Sequence, residues 1–252
     1  MDATIADMRA RFASLGRACD HNAVFALTYL RTTQTYEWAR DQVGFFSDPA
    51  WVNREDAVFA RLYFDAYDSW AAGRRHRTPG AWQVAFDAAA GRRVTGAGNV
   101  LLGMNAHINR DLPFALAAVG LTRPDGTSRK PDHDKVNDFL ALVLAPSLTE
   151  LSARFDPYGL AGGLPPDTAF QLITGWREQA WRNAERLVSA PNPLARALVA
   201  AQIDAAATAP AVLYAGLTAY LPPQTPGPRD AHCEAHNADQ PPAYPFGTPP
   251  AY

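Results

Sequence analysis

The chain has 252 residues, 48% of them hydrophobic, with a formal net charge of -2 and a pI of about 6.3. This length and apolar content suffice for one large domain or two small ones, and no linker divides the part before residue 222. There is no basic stripe, which argues against nucleic acid as a partner, and no uninterrupted apolar run reaches the roughly 18 residues of a membrane span.

The N-terminal segment and the cysteines bear on the compartment of the protein. Residues 1–10 carry interspersed acidic and basic side chains and no apolar stretch, so they do not resemble a signal peptide. We therefore expect a soluble cytoplasmic protein. Cys19 and Cys233 lie near opposite ends of the chain and form no CxxC pair, so neither a disulfide scaffold nor a cysteine-built zinc site is expected.

Helix boundaries are marked by capping residues followed by proline, as at Asp48-Pro49 and Asn192-Pro193. Pro113 and Pro146 lie inside two long apolar segments, where a kink or a break is expected. No segment shows the alternation of a strand. In chain order, the predicted helices cover residues 2–15, 21–43, 49–70, 79–91, 98–119, 131–155, 165–190 (opened by Leu164-Pro165-Pro166-Asp167) and 193 onward.

The last 31 residues differ in composition from the rest. Residues 222–252 are rich in proline and include Tyr244, Phe246 and Tyr252, a composition that builds no core and predicts an extended tail. Docking of its aromatic rings onto the helices and disorder remain equally open. The fold predicted is all-α: a single-domain multi-helix bundle over residues 1–221, with kinked central helices, followed by the Pro-rich tail.

A polar pair lies on a buried face of the first central segment. Residues 99–114 are apolar nearly all round, which is typical of a buried helix. His107 and Asp111 are four residues apart, so they share one face with Val100 and Met104. A buried charge is costly unless it is paired or bound. His107 and Asp111 must therefore bond each other, a partner helix or a metal ion.

The second central segment repeats this pattern with His133 and Asn137, which are also four residues apart. The connection over residues 120–130 is short and turn-like, which favours antiparallel neighbours. We therefore expect His133 to approach His107 and Asp111.

Two histidines and a carboxylate suit a divalent metal ion. His107, Asp111 and His133 would supply two imidazole nitrogens and an oxygen to Zn or Fe and leave a position open for water or substrate. Such a metal would lower the pKa of bound water and polarise a substrate oxygen. Two alternatives remain open: a buried hydrogen-bond network that fixes helix register, and a metal-free catalytic or binding pocket.

Arg177 is the strongest further candidate, because it falls within the apolar face of the predicted helix over residues 165–190. A buried guanidinium needs a carboxylate partner or an anionic ligand. We expect a structural ion pair to Asp111 or Asp134, with ligand binding as the alternative.

Two other features are interpreted as structural. His21 is expected in the first turn of its helix, after an Asp20 cap, with an exposed ring, and a role as a further metal ligand is the alternative. Phe59, Tyr63 and Trp70 form an aromatic stripe at helical spacing, which indicates core.

The run LGMNAHINRDLP at residues 102–113 resembles the bacterial family called domain of unknown function 5995. FALTYLRTT at residues 25–33 and the segment 134–137 extend the resemblance, which covers about residues 20–190. It implies that Asn105, His107 and Asp111 belong to the family's defining motif, and the family name supplies no reaction.

A fainter similarity is to the zinc-dependent phospholipase C and single-strand nuclease superfamily, whose central helix carries HxxxD with both side chains on zinc. The second motif here is HxxxN instead of HxxxE or HxxxD, and the N-terminus is not the zinc-binding tryptophan of that superfamily. The similarity therefore implies only a metal at His107 and Asp111.

Three functions follow from these patterns. The first is a metal-dependent enzyme, hydrolase-like, acting on a small molecule between the central helices. The second is a metal-free cyclase or lyase that uses His107 and Asp111 as acid and base, and the third is a non-catalytic helical binding protein; a homo-oligomer is compatible with each. Phosphate-loop, GxGxxG, GxSxG and HExxH motifs are absent. The predicted catalytic residues are His107, Asp111 and His133, and the predicted substrate contacts are Asn105, Asn137, Asp134 and Arg177.

Overall fold

Helices begin where the capping residues predict them. In the computed structural model, which describes residues 1–158 and 165–252, Asp48 accepts the Trp51 N–H at 2.9 Å and Asn192 accepts the Ala195 N–H at 2.8 Å. Leu164, predicted to open the helix over residues 165–190, lies outside the described residues. The helices are α1 (Asp2–Arg17), α2 (Ala23–Asp41), α3 (Pro49–Ala71), α4 (Gly80–Ala90), α5 (Gly96–Met104), a π-helix (Asn105–Asp111), α6 (Leu112–Val119), α7 (Lys130–Arg154), α8 (Pro166–Ser189), α9 (Pro193–Leu217) and α10 (Gly227–His236).

The core consists of two hydrophobic clusters that share α2 and α3. One contains Phe12, Phe25 and Trp82, and the other contains Trp51 and Trp181. Because α2 contributes buried residues along nearly its whole length, it lies inside the bundle. The all-α single-domain fold is thereby confirmed, with only isolated β-bridges in the described part of the chain.

The two central prolines affect the backbone differently. Pro113 follows the π-helix directly and lies in the first turn of α6, where its missing N–H is tolerated. The sequence analysis did not predict the π-helix, although a break near Pro113 was expected. Pro146 lies inside α7, which continues through it to Arg154.

The two central segments do not pack mainly on each other. α7 packs on α2 and α8, whereas the π-helix packs mainly on α9, α8 and the helices that flank it. The expected antiparallel pairing of these segments is therefore not found, because other helices occupy the faces that carry His107 and His133.

The segment after residue 221 is not extended throughout, because residues 227–236 form α10. Its aromatic residues dock on the bundle: the Tyr244 hydroxyl donates to Glu150 at 2.7 Å, and the Tyr252 ring lies 5.5 Å from Phe12. Of docking and disorder, the two alternatives that the sequence left open, the structure shows docking. The domain boundary at residue 221 stays a prediction.

A disulfide joins Cys19 to Cys233, with a Cα–Cα distance of 5.9 Å. The expectation that the two cysteines remain apart is wrong. The reason is that the C-terminal segment folds back, so that α10 lies beside the turn after α1 even though 214 residues separate the two positions.

One face of α9 is open to solvent, and Leu194, Leu198, Leu213 and Leu217 are exposed there. Within the described residues, α9 is the one helix that is long and apolar enough to cross a membrane, judged by length and composition. Arg196 and Asp204 are its only charged residues. A single helix of this kind is weak evidence of a membrane span, so the cytoplasmic location stays a prediction.

Replacing both cysteines, as Cys19→Ser with Cys233→Ser, is expected to lower the free energy of unfolding by about 2–4 kcal/mol, because the cross-link closes a long loop in the unfolded chain. Urea denaturation of the variant and of wild type, each with and without reductant, measures the difference. Reductant should weaken wild type and leave the variant unchanged. Two freely titratable thiols in the native wild type would refute the pairing.

Candidate functional site

A cavity of about 100 Å³ lies between α2, α3, α7, α8 and the π-helix. Its wall is mostly apolar, and its partly exposed residues mark the side that reaches the surface, among them Thr28, Thr32 and Leu144. Its buried residues include Tyr29, Thr33, Glu55, Asp56 and His107. The titratable side chains of the wall are among its buried residues, and the part of the cavity that they line is its closed end.

His107 is enclosed by aromatic rings. Phe59 stacks on the imidazole, with ring centroids 3.5 Å apart and planes 5° from parallel, and Tyr29 meets it edge-on at 4.3 Å. Phe25 and Trp82 lie at 5.9 Å. This burial lowers the pKa of His107, although the neighbouring Asp111 acts to raise it. The ring is therefore neutral at ordinary pH.

Asp111 orients the His107 ring. The two side chains lie 3.1 Å apart, from Nδ1 to Oδ2, across the π-helix. The same Oδ2 accepts the Trp82 indole N–H at 2.8 Å, and Oδ1 accepts from Arg110 at 2.9 Å. Because a carboxylate only accepts, the proton of the neutral imidazole lies on Nδ1 and the lone pair on Nε2.

Five polar atoms of cavity residues have no hydrogen-bond partner among the described residues: His107 Nε2, Tyr29 Oη, Thr33 Oγ1, Asp56 Oδ2 and Ser147 Oγ. Thr33 differs in this respect from Thr28, whose hydroxyl donates to the carbonyl of Val24 one turn earlier. Buried polar groups without partners are uncommon in native proteins, and each one calls for an explanation.

Two adjacent carboxyl groups of α3 have opposite pKa shifts. Burial and the negative charge of Glu55 raise the pKa of Asp56 from 3.8 to about 8. Burial also acts to raise the pKa of Glu55, but His133, Arg177 and the Tyr36 hydroxyl outweigh it and bring that pKa below its ordinary value. Near neutral pH, Asp56 is therefore mostly protonated while Glu55 is ionised.

His133 belongs to a separate cluster. Arg177 donates to the His133 carbonyl at 2.6 Å and to the Asn137 amide oxygen at 2.9 Å, and it lies 3.2 Å from His133 Nδ1. His133 Nε2 lies 3.3 Å from the Arg177 carbonyl, and Nδ1 is 3.8 Å from Glu55. Arg177 lines the cavity, but among the described residues no hydrogen bond or ion pair joins His133 to His107 or Asp111, which are the residues it was expected to approach.

The remaining predicted residues lie outside the cavity wall. The Asn105 amide donates to the Ala207 carbonyl at 2.8 Å and so joins the π-helix to α9. Asp134 is exposed and pairs with Lys130 at 2.7 Å, while Arg177 pairs with neither Asp111 nor Asp134 in a hydrogen bond. His21 is buried and contacts Asp230 at 2.8 Å, so the expected exposed ring is wrong, because α10 covers it.

The residues that the sequence proposed as metal ligands do not form one donor set. Within the described parts of the chain, no group of three or more His, Cys, Asp or Glu side chains is arranged to hold one. His107 Nδ1 and Asp111 Oδ2 bond each other, and both nitrogens of His133 face Arg177. The donor set proposed from the sequence is therefore split between two clusters.

Sequence reasoning missed three residues of the closed end, namely Tyr29, Thr33 and Asp56. A signal for Asp56 was present, because it lies three residues before Phe59 and so shares the aromatic stripe of α3. Like His107, Asp56 is a titratable group on an apolar face, so the sequence marks it as a candidate in the same way. Tyr29 and Thr33 carry no comparable signal, since both are ordinary members of a buried helix.

Comparison with known proteins gives a family and no function. A model described as a family of unknown function, DUF5995, matches residues 1–215. No curated protein matches the chain, and no solved structure matches it.

Asp56→Asn is expected to change how stability depends on pH. Since the pKa of Asp56 is about 8 in the folded protein and 3.8 ordinarily, the folded state keeps a proton that the unfolded chain loses. The free energy of unfolding of wild type therefore falls as pH rises through this interval, and Asn removes this contribution. Between pH 5 and pH 9 the variant should gain a few kcal/mol relative to wild type in urea denaturation.

The matched control is Asp65→Asn, an exposed aspartate of the same helix that pairs with Arg61. Its stability should parallel that of wild type over the whole range. If Asp56→Asn also runs parallel to wild type, Asp56 does not keep its proton in the folded state.

Proposed function

The chain belongs to DUF5995, a family of unknown function, and from the geometry of its pocket we propose that it is a metal-free enzyme that acts by proton transfer on a small, mostly apolar molecule. This is the second of the functions considered from the sequence. The observation that carries it is the set of five unpartnered polar groups around one apolar cavity: His107, Tyr29, Thr33, Asp56 and Ser147.

A ligand accounts for these groups better than a purely structural role does. A buried polar group without a partner costs about 1–3 kcal/mol, and a set of them at one place is a large fraction of the stability of a domain. Ligand pockets are typically apolar with a few convergent polar groups. A molecule that supplies the missing hydrogen bonds removes this cost when it binds.

His107 has the properties of a general base. Its pKa is lowered by burial, so it is unprotonated and able to accept a proton at neutral pH. Asp111 fixes the tautomer and would stabilise the imidazolium that forms, as in other carboxylate–histidine pairs. Since Asp111 is itself held by Trp82 and Arg110, the orientation of the ring is set before a substrate arrives.

Asp56 has the complementary properties of an acid. With a pKa of about 8 it carries a proton at neutral pH and can donate a hydrogen bond or the proton itself. A pair of titratable groups whose surroundings separate their protonation states is a common feature of acid–base sites.

The size of the cavity favours a small molecule. Its volume of about 100 Å³ is close to that of engineered apolar cavities of about 150 Å³ that bind benzene. A longer apolar group would extend toward the partly exposed side, at Thr28 and Leu144.

The other functions are separated from this one by simple measurements. The metal-dependent hydrolase with Zn or Fe stays a prediction, and the metal content of the purified protein decides it. A non-catalytic binding protein would use the same pocket and would tolerate replacement of His107, whereas proton transfer requires His107. Homo-oligomerisation also stays a prediction.

Fluorobenzene is expected to bind the cavity, because it is apolar and of suitable size. In ¹⁹F NMR its signal should broaden with wild-type protein, including after dialysis against a chelator. Thr32→Trp, which fills the partly exposed side, should weaken binding at least tenfold. Thr149→Trp replaces an exposed threonine with the same type of helix hydrogen bond and should bind as wild type does; equal binding by all three proteins would mean that fluorobenzene binds elsewhere.

The His107 imidazole is expected to carry its single proton on Nδ1 and to titrate below its ordinary pKa of 6.5. ¹⁵N-edited NMR of the ring nitrogens measures both properties. In Asp111→Asn, the titration should move to still lower pH, because Asp111 acts to raise the pKa. A ring protonated on Nε2 in wild type would remove the proposed base.

A further inference from the structure

We infer that the substrate of this pocket is an uncharged carbonyl compound with an apolar body, and that His107 removes a proton from the carbon next to the carbonyl while Tyr29 and Asp56 donate hydrogen bonds to its oxygen. This inference rests on the proposed function and names its substrate class and reaction.

The unpartnered groups themselves bear on the ligand. The hydroxyls of Tyr29, Thr33 and Ser147 can donate or accept, protonated Asp56 carries a further donor, and the neutral His107 Nε2 can only accept. A carbonyl oxygen has two lone pairs and can accept from two of these donors, whereas an ammonium group has no lone pair and accepts from none of them.

The charge around the cavity also bears on the substrate. Glu55 is ionised and lines the same cavity, and Asp111 lies directly behind His107. An anionic substrate would enter a site that already holds carboxylates, and Arg177 is engaged with His133 and Asn137. A neutral substrate avoids this repulsion.

The base also lies close to the donors. The Tyr29 and His107 ring centroids are 4.3 Å apart, and Asp56 precedes Phe59, which stacks on that imidazole, by one helical turn. All three residues line the same cavity of about 100 Å³, so one small ligand can contact base and donors together.

The reaction step balances without a further reactant. The carbon–hydrogen bond next to the carbonyl breaks, the proton goes to His107 Nε2, and the electron pair forms a carbon–carbon double bond to the carbonyl carbon. The π pair of the carbonyl moves to its oxygen, where the hydrogen bonds of Tyr29 and Asp56 stabilise the developing enolate. After Nε2 has exchanged its proton with solvent, return of a proton to the same carbon gives hydrogen exchange, and return to a conjugated carbon gives isomerisation. Neutral carboxylic acid and tyrosine donors stabilise enolates in this way in known isomerases.

A phenol mimics an enolate oxygen, which allows the oxygen site to be tested separately from the apolar pocket. In ¹⁹F NMR, 4-fluorophenol is expected to bind wild type at least tenfold more tightly than fluorobenzene. Tyr29→Phe and Asp56→Leu, which each remove one donor, should each abolish most of that preference while retaining fluorobenzene. Tyr67→Phe, a tyrosine of α3 outside the cavity wall, and Asp65→Leu should retain the preference.

Proton abstraction is tested with cyclohexanone in deuterium oxide. Wild type should accelerate exchange of the hydrogens next to the carbonyl at least tenfold over buffer, as measured by ¹H NMR. His107→Gln keeps a donor toward Asp111 and should bind 4-fluorophenol yet show no acceleration. Binding by this variant also demonstrates that it is folded.

The outcomes separate this inference from the function on which it rests. If fluorobenzene binds but 4-fluorophenol binds no more tightly, the carbonyl site is overturned and the apolar pocket stands. If the phenol is preferred but exchange is not accelerated, or is retained in His107→Gln, the proton-abstraction step is overturned. If neither probe binds, the proposed function itself fails.

Discussion

The structure depends on the hydrogen bond between His107 and Asp111 within the π-helix. A carboxylate at the centre of a helical bundle is tolerated only when its oxygens are satisfied, and Asp111 meets this condition through His107, Trp82 and Arg110. These bonds join the π-helix to α4 and fix one imidazole nitrogen. The other nitrogen is left inside an aromatic enclosure. π-Helical turns often occur at functional sites, where the added residue changes the direction of side chains.

The other large buried polar network shows that this protein can satisfy its polar groups completely. Arg31 bonds both oxygens of Glu150 at 2.9 Å, Arg154 bonds the same carboxylate, and Tyr244 donates to it at 2.7 Å. The remaining donors of Arg154 reach carbonyls of the C-terminal segment, at Asn237 and Ala251. This network fastens that segment to α2 and α7. By contrast, five of the eight buried polar atoms without a partner in the described residues belong to the cavity wall, so such atoms are concentrated there.

Local sequence signals predicted the helices well, but they could not predict contacts between distant segments. Asp48-Pro49 identifies the start of α3 because capping and proline act within one turn. The pairing of Cys19 with Cys233 depends on how the helices of the bundle are arranged, and no spacing rule reaches across 214 residues. The separation of His133 from His107 has the same cause: periodicity identifies the face that is buried but not the helix that covers it. For the same reason the expected ion pair of Arg177 with Asp111 or Asp134 is wrong, and its guanidinium bonds His133 and Asn137 instead.

Glu55 and Asp56 are adjacent on α3, yet their pKa values shift in opposite directions. Both side chains are buried, and burial alone would raise both pKa values. They differ because Arg177 and His133 face Glu55, and the ionised Glu55 then makes ionisation of Asp56 more costly. Arg177 and His133 thus influence the closed end of the cavity through this pair, although neither forms a hydrogen bond or ion pair with His107 among the described residues. The residues that the sequence grouped into one metal site therefore act, in the proposed enzyme, as two clusters: one holds the base, and the other keeps the acid protonated.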